Sequence, residues 1–316
     1  MSKKSEAKVV SRKEMTKAQW TLHLMNVNKI GYFMIAPFMI LFFLFTIIPV
    51  ALSLVLSLTN FNMIEFPDFV FLQNYATLFL DDELFITALK NTMIFAVVVG
   101  PAGYVISFVT AWFINELDPK IRALVTFVFY APSISGNVYI VWTTLFSGDR
   151  YGWLNGWLIK LGIIEASQPI QWLATSSYIM PIVIMVALWG SLGMGFLSFI
   201  AGLQGVDRSL YEAGAIDGIT NRWQEVWYIT LPSMKPQLMF GAVMSITGAF
   251  GFGGIVSALA GNPPTDYVGY TVAHHIDEYG GVRWEVGYSS ALSFIMFLIM
   301  IGANLLVNKL LTKVGQ

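Results

Sequence analysis

Long apolar stretches recur six times along the chain, and the segments between them carry most of the charge. The stretches cover about residues 30–58, 91–115, 123–148, 178–202, 237–259 and 287–308. A helix needs about 20 apolar residues to cross a bilayer, because each residue rises about 1.5 Å and the hydrocarbon core is about 30 Å thick. The pattern therefore predicts an all-α polytopic membrane protein with six transmembrane helices.

The composition agrees with a membrane protein and excludes several classes of function. Apolar residues make up 56% of the 316 residues, charged residues make up 12%, and the net charge is -1. So balanced a charge gives no reason to expect a nucleic-acid partner. The chain has no cysteine, which excludes disulfides, thiolate catalysis and cysteine-bound metals.

The basic residues are distributed unevenly between the two sides of the predicted bundle. Fourteen of the 18 lie in residues 1–29, after the second and fourth spans, or at the C-terminal end. Since loops rich in Lys and Arg stay in the cytoplasm, we expect both termini there, with residues 1–29 as a cytoplasmic tail and residues 30–316 as the transmembrane domain. A signal peptide is a poorer interpretation of the first span, because the apolar run is too long for an h-region.

The loop between the fourth and fifth spans, residues 205–235, has the pattern of two short helices. Ser209 and Glu212 have the spacing of a capping box, and Gly218 is placed to end the first helix. A second helix is predicted to end before Pro232, because the residue before a proline disfavours helical backbone. Two short helices at an angle would form a compact protrusion.

The first short helix carries little bulk on one surface. Ala213 and Gly214 would allow the backbone or a groove of another protein to approach closely. The alternative is that Glu212 only caps its own helix and that Trp223 and Trp227 hold the loop at the membrane surface. The residues by themselves favour neither interpretation.

A motif in this loop closely resembles the EAA loop of permease subunits of binding-protein-dependent ABC importers. It consists of Glu212-Ala213-Gly214, Gly218 and Ile229-Thr230-Leu231-Pro232. Other segments resemble the carbohydrate branch, which includes maltose and glycerol-phosphate permeases: Phe45-Thr-Ile-Ile-Pro49, Asn74-Tyr75, Tyr151-Gly-Trp-Leu-Asn155, Gly202-Leu-Gln204 and Gly287-Tyr-Ser-Ser-Ala291. The chain departs from the family pattern at Gly214, where an alanine is usual.

The resemblance implies a type I ABC importer permease with the MetI-like fold, in a bacterial cell membrane. Two permease subunits, forming a heterodimer or alternatively a homodimer, would enclose one pathway. Two cytoplasmic ATPase subunits would dock on the EAA loops, and an extracellular solute-binding protein would deliver the solute. The resemblance assigns ATPase coupling to Glu212, Ala213, Gly214, Asp217 and Gly218. The chain would be no enzyme and would hold no cofactor, because ATP binds to the partner subunits. It contains no G-x-x-x-x-G-K-[ST] phosphate loop.

The substrate pathway is also suggested by the resemblance. In similar sugar permeases the spans flanking the EAA loop line the pathway, and the sugar-contacting tryptophan and serine match Trp189 and Ser245. An aromatic face packs against the C–H groups of a sugar, and small polar side chains bond to its hydroxyls, so Tyr130 and Ser133 could contribute. Packing between helices is the alternative for all four residues.

Other polar residues receive structural interpretations. Several polar side chains are expected to face the interior of the bundle, because polar groups are costly in lipid. They belong to Asn91, Asn137, Ser133, Ser245 and Trp189. The adjacent His274 and His275 precede the sixth span. They lack an H-x-x-x-H spacing and adjacent residues point apart, so we expect a solvated loop and no metal site.

The sequence thus favours a permease subunit of an ATP-driven importer that moves a sugar or oligosaccharide by alternating access. The same architecture could instead carry a peptide, a lipid precursor or a polyol phosphate. An ion-coupled secondary transporter would need charged residues at the midplane and inverted repeats, and neither is seen in the sequence. An intramembrane enzyme would need a motif such as H-E-x-x-H or G-x-S-x-G, and none occurs.

Overall fold

The computed structural model describes residues 16–135 and 138–312. In these ranges the chain is helical, and its extended pairing is limited to one isolated antiparallel bridge between Thr59 and Phe69. The predicted all-α class is therefore confirmed. Residues 1–15 of the predicted tail and Asn137 lie outside the described residues.

The chain divides into two compact units, of which the first comprises residues 1–55. Its helices are α1 Lys17–Val27, α2 Lys29–Phe42 and α3 Ile48–Leu56, with a π-helical turn between the last two. Together α2, the turn and α3 form 28 helical residues with a mean hydropathy of 2.8 in the most apolar window. This helix is long and apolar enough to cross a bilayer.

The second unit comprises residues 56–316 and holds the remaining described helices. These are α4 Gln73–Leu80, α5 Glu83–Asn115, α6 Pro119–Ile134, α7 Tyr139–Leu145, α8 Trp153–Lys160, α9 Ser176–Trp189, α10 Met194–Gly205, α11 Arg208–Ile216, α12 Arg222–Glu225, α13 Leu231–Ser233, α14 Lys235–Phe250, α15 Gly253–Ala260, α16 Val272–Asp277 and α17 Val286–Leu311.

Three helical segments of the second unit are long and apolar enough to cross a membrane, judged by length and composition. They are α5 with 33 residues, α9 with α10 over 30 residues, and α17 with 26 residues. The pairs α6 with α7 and α14 with α15 also pass when each bent pair is taken together, and the second pair bends by 46°. With the helix of the first unit, the described residues hold four spans, or six if each bent pair crosses once. Six is the number that the sequence predicts.

Helix α5 lies at the centre of the second unit. Three apolar clusters form the core, and α5 contributes fully buried side chains to all of them: Phe85, Phe95 and Ala111. The cluster that contains Phe85 includes residues of α17. The cluster that contains Phe95 includes residues of α9 and α15, and the cluster that contains Ala111 includes residues of α10 and α14. The other long helices are thus positioned by their contacts with α5.

Polar side chains on α5 add directional contacts to this packing. The amide nitrogen of Asn91 donates to the carbonyl oxygens of Tyr267 (3.2 Å) and Tyr270 (3.0 Å). The hydroxyl of Thr92 accepts from the backbone N–H of Val272 at 3.0 Å. A buried polar group is costly unless it is bonded, so these contacts fix the loop before α16 on α5. The prediction that Asn91 faces the interior is confirmed.

The start of α17 is held against the segment that follows α3. The backbone N–H of Gly287 donates to the carbonyl of Phe61 at 2.9 Å. A Cβ atom at this glycine would lie 2.1 Å from the carbonyl oxygen of Thr59. Because that oxygen belongs to the backbone, a side chain could not be accommodated without moving one segment.

We therefore expect Gly287→Ala to destabilise the protein by about 1–3 kcal/mol, the range typical of overpacking. Gly302→Ala is the matched control, because it lies in the same helix and a Cβ atom there would have no heavy atom within 4 Å. Melting temperatures of the two variants in detergent test the prediction. Equal melting temperatures would contradict the close approach at Gly287.

Candidate functional site

The first short helix of the loop, α11, is capped by a residue that was not predicted from the sequence. The carboxylate of Asp207 accepts from the backbone N–H of Ser209 at 3.0 Å, and this bond holds the pKa of Asp207 below its ordinary value. The predicted capping box of Ser209 and Glu212 is therefore wrong. The helix begins two residues earlier than that pairing requires, because aspartate is itself a favoured N-cap.

Glu212 and Ala213 lie on the exposed side of α11. The carboxylate of Glu212 makes no ion pair and no side-chain hydrogen bond within the residues that the structure describes. Ile216, on the same side, is 87% exposed. An apolar side chain and an unpaired carboxylate on one exposed face form a surface on which another protein can dock.

Gly214 is buried and faces the opposite way. A Cβ atom there would lie 2.6 Å from Cδ1 of Ile229 and 3.0 Å from Cδ1 of Ile219. The prediction that this position leaves room for another protein is wrong, since the chain itself fills the space. Tyr211, one helical turn earlier, shares this face, and its hydroxyl lies 3.0 Å from that of Thr230. The small residue lets the two short helices pack together.

The end of α11 agrees with the sequence. Asp217 is the C-cap, and Gly218 follows with a φ of +96°, which side chains rarely allow. The backbone N–H of Ile219 donates to the carbonyl of Gly214 at 2.9 Å, as in a Schellman motif. Gly218 therefore ends the helix, as predicted, and turns the chain toward the second one.

The second short helix continues past the proline at which it is predicted to end. It starts with α12, capped by Asn221 on the N–H of Gln224 at 2.9 Å, and passes through a π-helical turn, Val226–Thr230, into α13. In this turn the N–H of Leu231 bonds to the carbonyl of Val226. The turn places Pro232 in the first turn of the next helical segment, where its missing N–H costs little.

Two contacts connect α12 with the end of α5. The guanidinium of Arg222 lies 3.5 Å from the carboxylate of Glu116. The rings of Trp223 and Trp112 lie 5.4 Å apart between centroids. The loop is thus joined to the helix on which the second unit is built.

Two of the four predicted pathway residues line one cavity of about 270 Å³. Trp189 is 37% exposed at the end of α9, and its ring meets that of Trp142 edge-on at 5.2 Å. The cavity is lined by Pro132, Ser133, Ile134, Ser135, Val138, Tyr139, Trp189 and Gly190. Tyr139 and Trp142 were not predicted from the sequence. The signal that could have identified them is that both are aromatic residues in the third predicted span.

The other two candidates lie elsewhere. The hydroxyl of Tyr130 contacts the sulfur of Met194 at 3.6 Å, and its carbonyl accepts from Ser133 at 2.8 Å. Ser245 is half-buried on α14 and does not line the cavity. Ser133 and Trp189 are both exposed, so the expectation that they face the interior is wrong for the single chain.

The comparison with protein families decides the identity. Residues 103–316, more than half of the chain, match the family described as binding-protein-dependent transport system inner membrane components. The chain belongs to this family. This confirms the family that the resemblance predicts and makes the protein a multi-pass membrane protein.

Two relatives from Bacillus subtilis (strain 168) match along most of their length. The probable ABC transporter permease protein YesP is 31% identical over 86% of this chain and 87% of the relative. The arabinooligosaccharides transport system permease protein AraP is 27% identical over 88% of this chain and 87% of the relative.

Solved structures share the fold. A bacterial ABC transporter involved in the import of the acidic polysaccharide alginate matches with a TM-score of 0.73 and 22% identity, over 95% of this chain and all of the other. A bacterial alginate ABC transporter in complex with alginate pentasaccharide-bound periplasmic protein matches with a TM-score of 0.71, over 92% and 97% of the two chains. The MetI-like ABC permease fold is thereby confirmed.

At the opposite end of this permease from α11, a polar network lies buried where the sequence predicts a solvated loop. His274 and His275 are 1% and 0% exposed, because α16 packs on α5 and α17. Nε2 of His275 lies 2.7 Å from the carboxylate of Asp82, and Nδ1 lies 3.2 Å from the hydroxyl of Tyr270. The hydroxyl of Tyr270 in turn donates to Glu278 at 2.7 Å. Asp82, an acidic residue just before α5, was the signal in the sequence that could have indicated a buried partner for a histidine.

The hydrogens of this network can be counted. Tyr270 has one hydroxyl hydrogen, and the carboxylate of Glu278 takes it, so the oxygen of Tyr270 accepts from Nδ1 of His275. Asp82 accepts from Nε2 of the same ring and from the hydroxyl of Tyr288 at 2.6 Å.

The network also lowers the pKa of a carboxyl. Burial raises the pKa of Asp82, but the hydrogen bonds from Tyr288 and His275 lower it by more, so that it lies below its ordinary value. Asp82 also caps α5 by accepting from the N–H of Phe85 at 2.8 Å. One carboxylate thus holds the starts of α5 and α17 and the helix α16 together.

We expect the stabilisation from Asp82 to be lost in acid. A carboxyl with a lowered pKa in the folded state stabilises the protein above its unfolded pKa of about 3.9, and this contribution disappears as the pH falls through the folded value. Asp82→Asn keeps an N-cap but removes the charge, so it should lower the melting temperature at neutral pH. The difference from the wild type should shrink as the pH falls below about 4.

The neighbouring Asp81→Asn is the matched control, because Asp81 is exposed and takes no part in the network. Its melting temperature should follow that of the wild type across the same range. If Asp82→Asn also follows the wild type at every pH, the carboxylate does not have the stabilising role assigned to it.

Proposed function

We propose that this permease forms one half of the transmembrane pathway of an ATP-driven importer and carries a sugar or oligosaccharide by alternating access. The observation that carries the proposal is the cavity in which the indole of Trp189 and the hydroxyl of Ser133 lie together. An indole face packs against the C–H groups of a pyranose, while hydroxyls bond to small polar side chains. The relative named for the transport of arabinooligosaccharides supports this class of solute.

The charge of the cavity favours a neutral solute. All eight of its lining residues are uncharged. A polyol phosphate would bring a negative charge that no residue of this lining could pair with, and an unpaired charge in a desolvated cavity is costly. Sugar hydroxyls, in contrast, find partners in serine and tyrosine hydroxyls.

Partners of three kinds complete the proposed importer. A second permease would close the cavity, since Ser133, Ile134 and Ser135 are exposed on the single chain. Two ATPase subunits would dock on the exposed face of α11 and supply the energy, and an extracellular solute-binding protein would deliver the solute. The complex of a similarly folded transporter with a periplasmic protein supports the last partner.

The orientation is part of the proposal. We place both termini and α11 in the cytoplasm, because fourteen of the 18 basic residues lie on that side. A reporter fused after Pro119 or Ser209 should be active in the cytoplasm, and one fused after Gly162 or Asn262 should be active outside it. The opposite pattern of reporter activity would reverse the assignment.

Replacing Trp189 tests the proposed pathway. In proteoliposomes that contain the permease, its ATPases and its binding protein, Trp189→Ala should reduce the uptake of a labelled oligosaccharide several-fold, because the aromatic contact is worth about 1 kcal/mol. Trp189→Phe keeps an aromatic ring beside Trp142 and should lose less. ATP hydrolysis without solute should stay unchanged.

The control is Trp157→Ala, which removes an indole that is 71% exposed on α8. Uptake by this variant should match the wild type. If Trp189→Ala fails to assemble with its partners, the residue serves packing, and if it transports normally, it does not contact the solute.

Replacing Glu212 tests the coupling surface. Because Asp207 caps α11, a loss caused by Glu212→Gln cannot be attributed to a missing cap, and glutamine has a similar helix propensity. Removing one charge from an ion pair at an interface costs about 2–5 kcal/mol, so ATPase binding should weaken at least about tenfold. The test is co-purification of the ATPase with the permease, together with a measurement of the dissociation constant of the ATPase from the immobilised permease.

Glu65→Gln is a suitable control, since it makes the same change on an exposed loop far along the chain from α11. It should bind the ATPase as the wild type does. Normal ATPase binding and transport by Glu212→Gln would show that the charge is not part of the contact, leaving Ala213 and Ile216 as the docking surface.

A further inference from the structure

A cleft of about 510 Å³ lies between the ends of the long helices and the loop that carries α11. Its charged lining residues are Glu116, Arg122, Arg208, Arg222 and Glu225, and its other lining residues are uncharged. Three of these residues are arginines and two are glutamates. The lining therefore carries one positive charge in excess.

The arginines differ in how far their charge is neutralised. Arg222 is paired with Glu116 at 3.5 Å and with Glu225 at 3.0 Å. Arg122 donates to the carbonyl oxygen and the side-chain oxygen of Asn115, both at 3.1 Å, which are neutral acceptors. Arg208 makes no ion pair within residues 16–135 and 138–312. Among these residues, two guanidinium groups of the cleft thus lack a carboxylate partner.

The position of the cleft places it at the level of lipid headgroups. Trp112 lies in the last turn of α5, Leu203 lies in the last turn of α10, and Arg122 lies in the first turn of α6. The ends of spanning helices lie at the boundary between hydrocarbon and water, where tryptophan is common. The paired rings of Trp112 and Trp223, the latter 70% exposed, agree with this level.

We propose that this cleft binds a phosphate group with a single negative charge, through Arg122 and Arg208. A guanidinium fits two phosphate oxygens at once, and one phosphate diester would neutralise the excess charge of the lining. The group comes either from an anionic phospholipid of the adjacent leaflet or from a soluble phosphate ester. Basic pockets between spanning helices commonly take lipid headgroups.

A bound phosphate would act on the coupling loop. Arg208 belongs to α11, whereas Arg122 belongs to α6, so one anion between them connects the loop to the spanning helices. The phosphate would hold α11 at the ends of these helices without occupying its docking face. Arg208 and Tyr211 line the cleft, while Ala213 and Ile216 face away from it. Glu212 follows Arg208 by one helical turn, so the phosphate site borders the surface proposed for the ATPase.

The assembled transporter in nanodiscs provides the experiment. Nanodiscs of phosphatidylcholine are compared with nanodiscs that also contain phosphatidylglycerol, and with phosphatidylcholine nanodiscs in a buffer that contains glycerophosphoglycerol, a soluble phosphate diester with one negative charge. Retained lipid is measured by native mass spectrometry, and the melting temperature is measured in each condition. We expect one of the two phosphate sources to bind and to raise the melting temperature.

The variants separate specific from general binding. Arg122→Gln with Arg208→Gln should weaken phosphate binding at least about tenfold, which is about 1.4 kcal/mol. Arg208→Gln alone should give part of this loss and breaks no ion pair of the described fold. The control is Arg150→Gln with Lys160→Gln, which removes two exposed positive charges outside the cleft and should bind as the wild type does.

Each result has a definite meaning. Binding that depends on the two arginines supports the proposal, and the condition in which it occurs identifies lipid or soluble ester as the source. Failure of both sources to bind overturns it, as does equal binding by the cleft variant and the control. If the cleft variant instead loses the ATPase with phosphate binding unchanged, the arginines serve a protein carboxylate and the proposal is wrong.

Discussion

The packing of α5 against the other helices of the second unit is the contact on which the remaining structure depends. A helix in lipid satisfies its own backbone hydrogen bonds, so specificity must come from side chains. On α5 these are large buried apolar groups, such as Phe85 and Phe95, together with a few polar groups that bond to other segments. The hydroxyl of Ser107 donates to the carbonyl of Ser191 at 3.1 Å, at the break between α9 and α10. Apolar contacts bring the helices together, and the polar bonds fix their register.

Both ends of α5 meet the parts of the chain with the most distinctive chemistry. At its start, Asp82 joins α16 and α17 through His275 and Tyr288. At its end, Glu116 and Trp112 contact the second short helix of the loop. Thirty-three helical residues span about 50 Å, which exceeds the hydrocarbon thickness. One continuous helix therefore connects the loop that carries α11 with the polar network at the other end of the bundle.

The sequence predicted those features that local physics determines. Apolar length identified the spans, and the requirement for positive φ identified Gly218 as the end of α11. Predictions failed where distant contacts decide. Nothing local shows that Gly214 faces Ile229 or that His275 meets Asp82, which is 193 positions away along the chain. The prediction at Pro232 was wrong because a π-helical turn before it allows the helix to continue, and such a turn has no clear signature in sequence.

If ATP hydrolysed on the side of α11 drives uptake through this chain, the energy source can be measured directly. Proteoliposomes containing the complete transporter are supplied with labelled oligosaccharide outside and ATP inside, with and without a protonophore. Uptake should require ATP and should proceed at the same rate when the protonophore is present. Uptake that continues without ATP and stops when the protonophore is added would contradict the proposed mechanism and indicate an ion-coupled transporter.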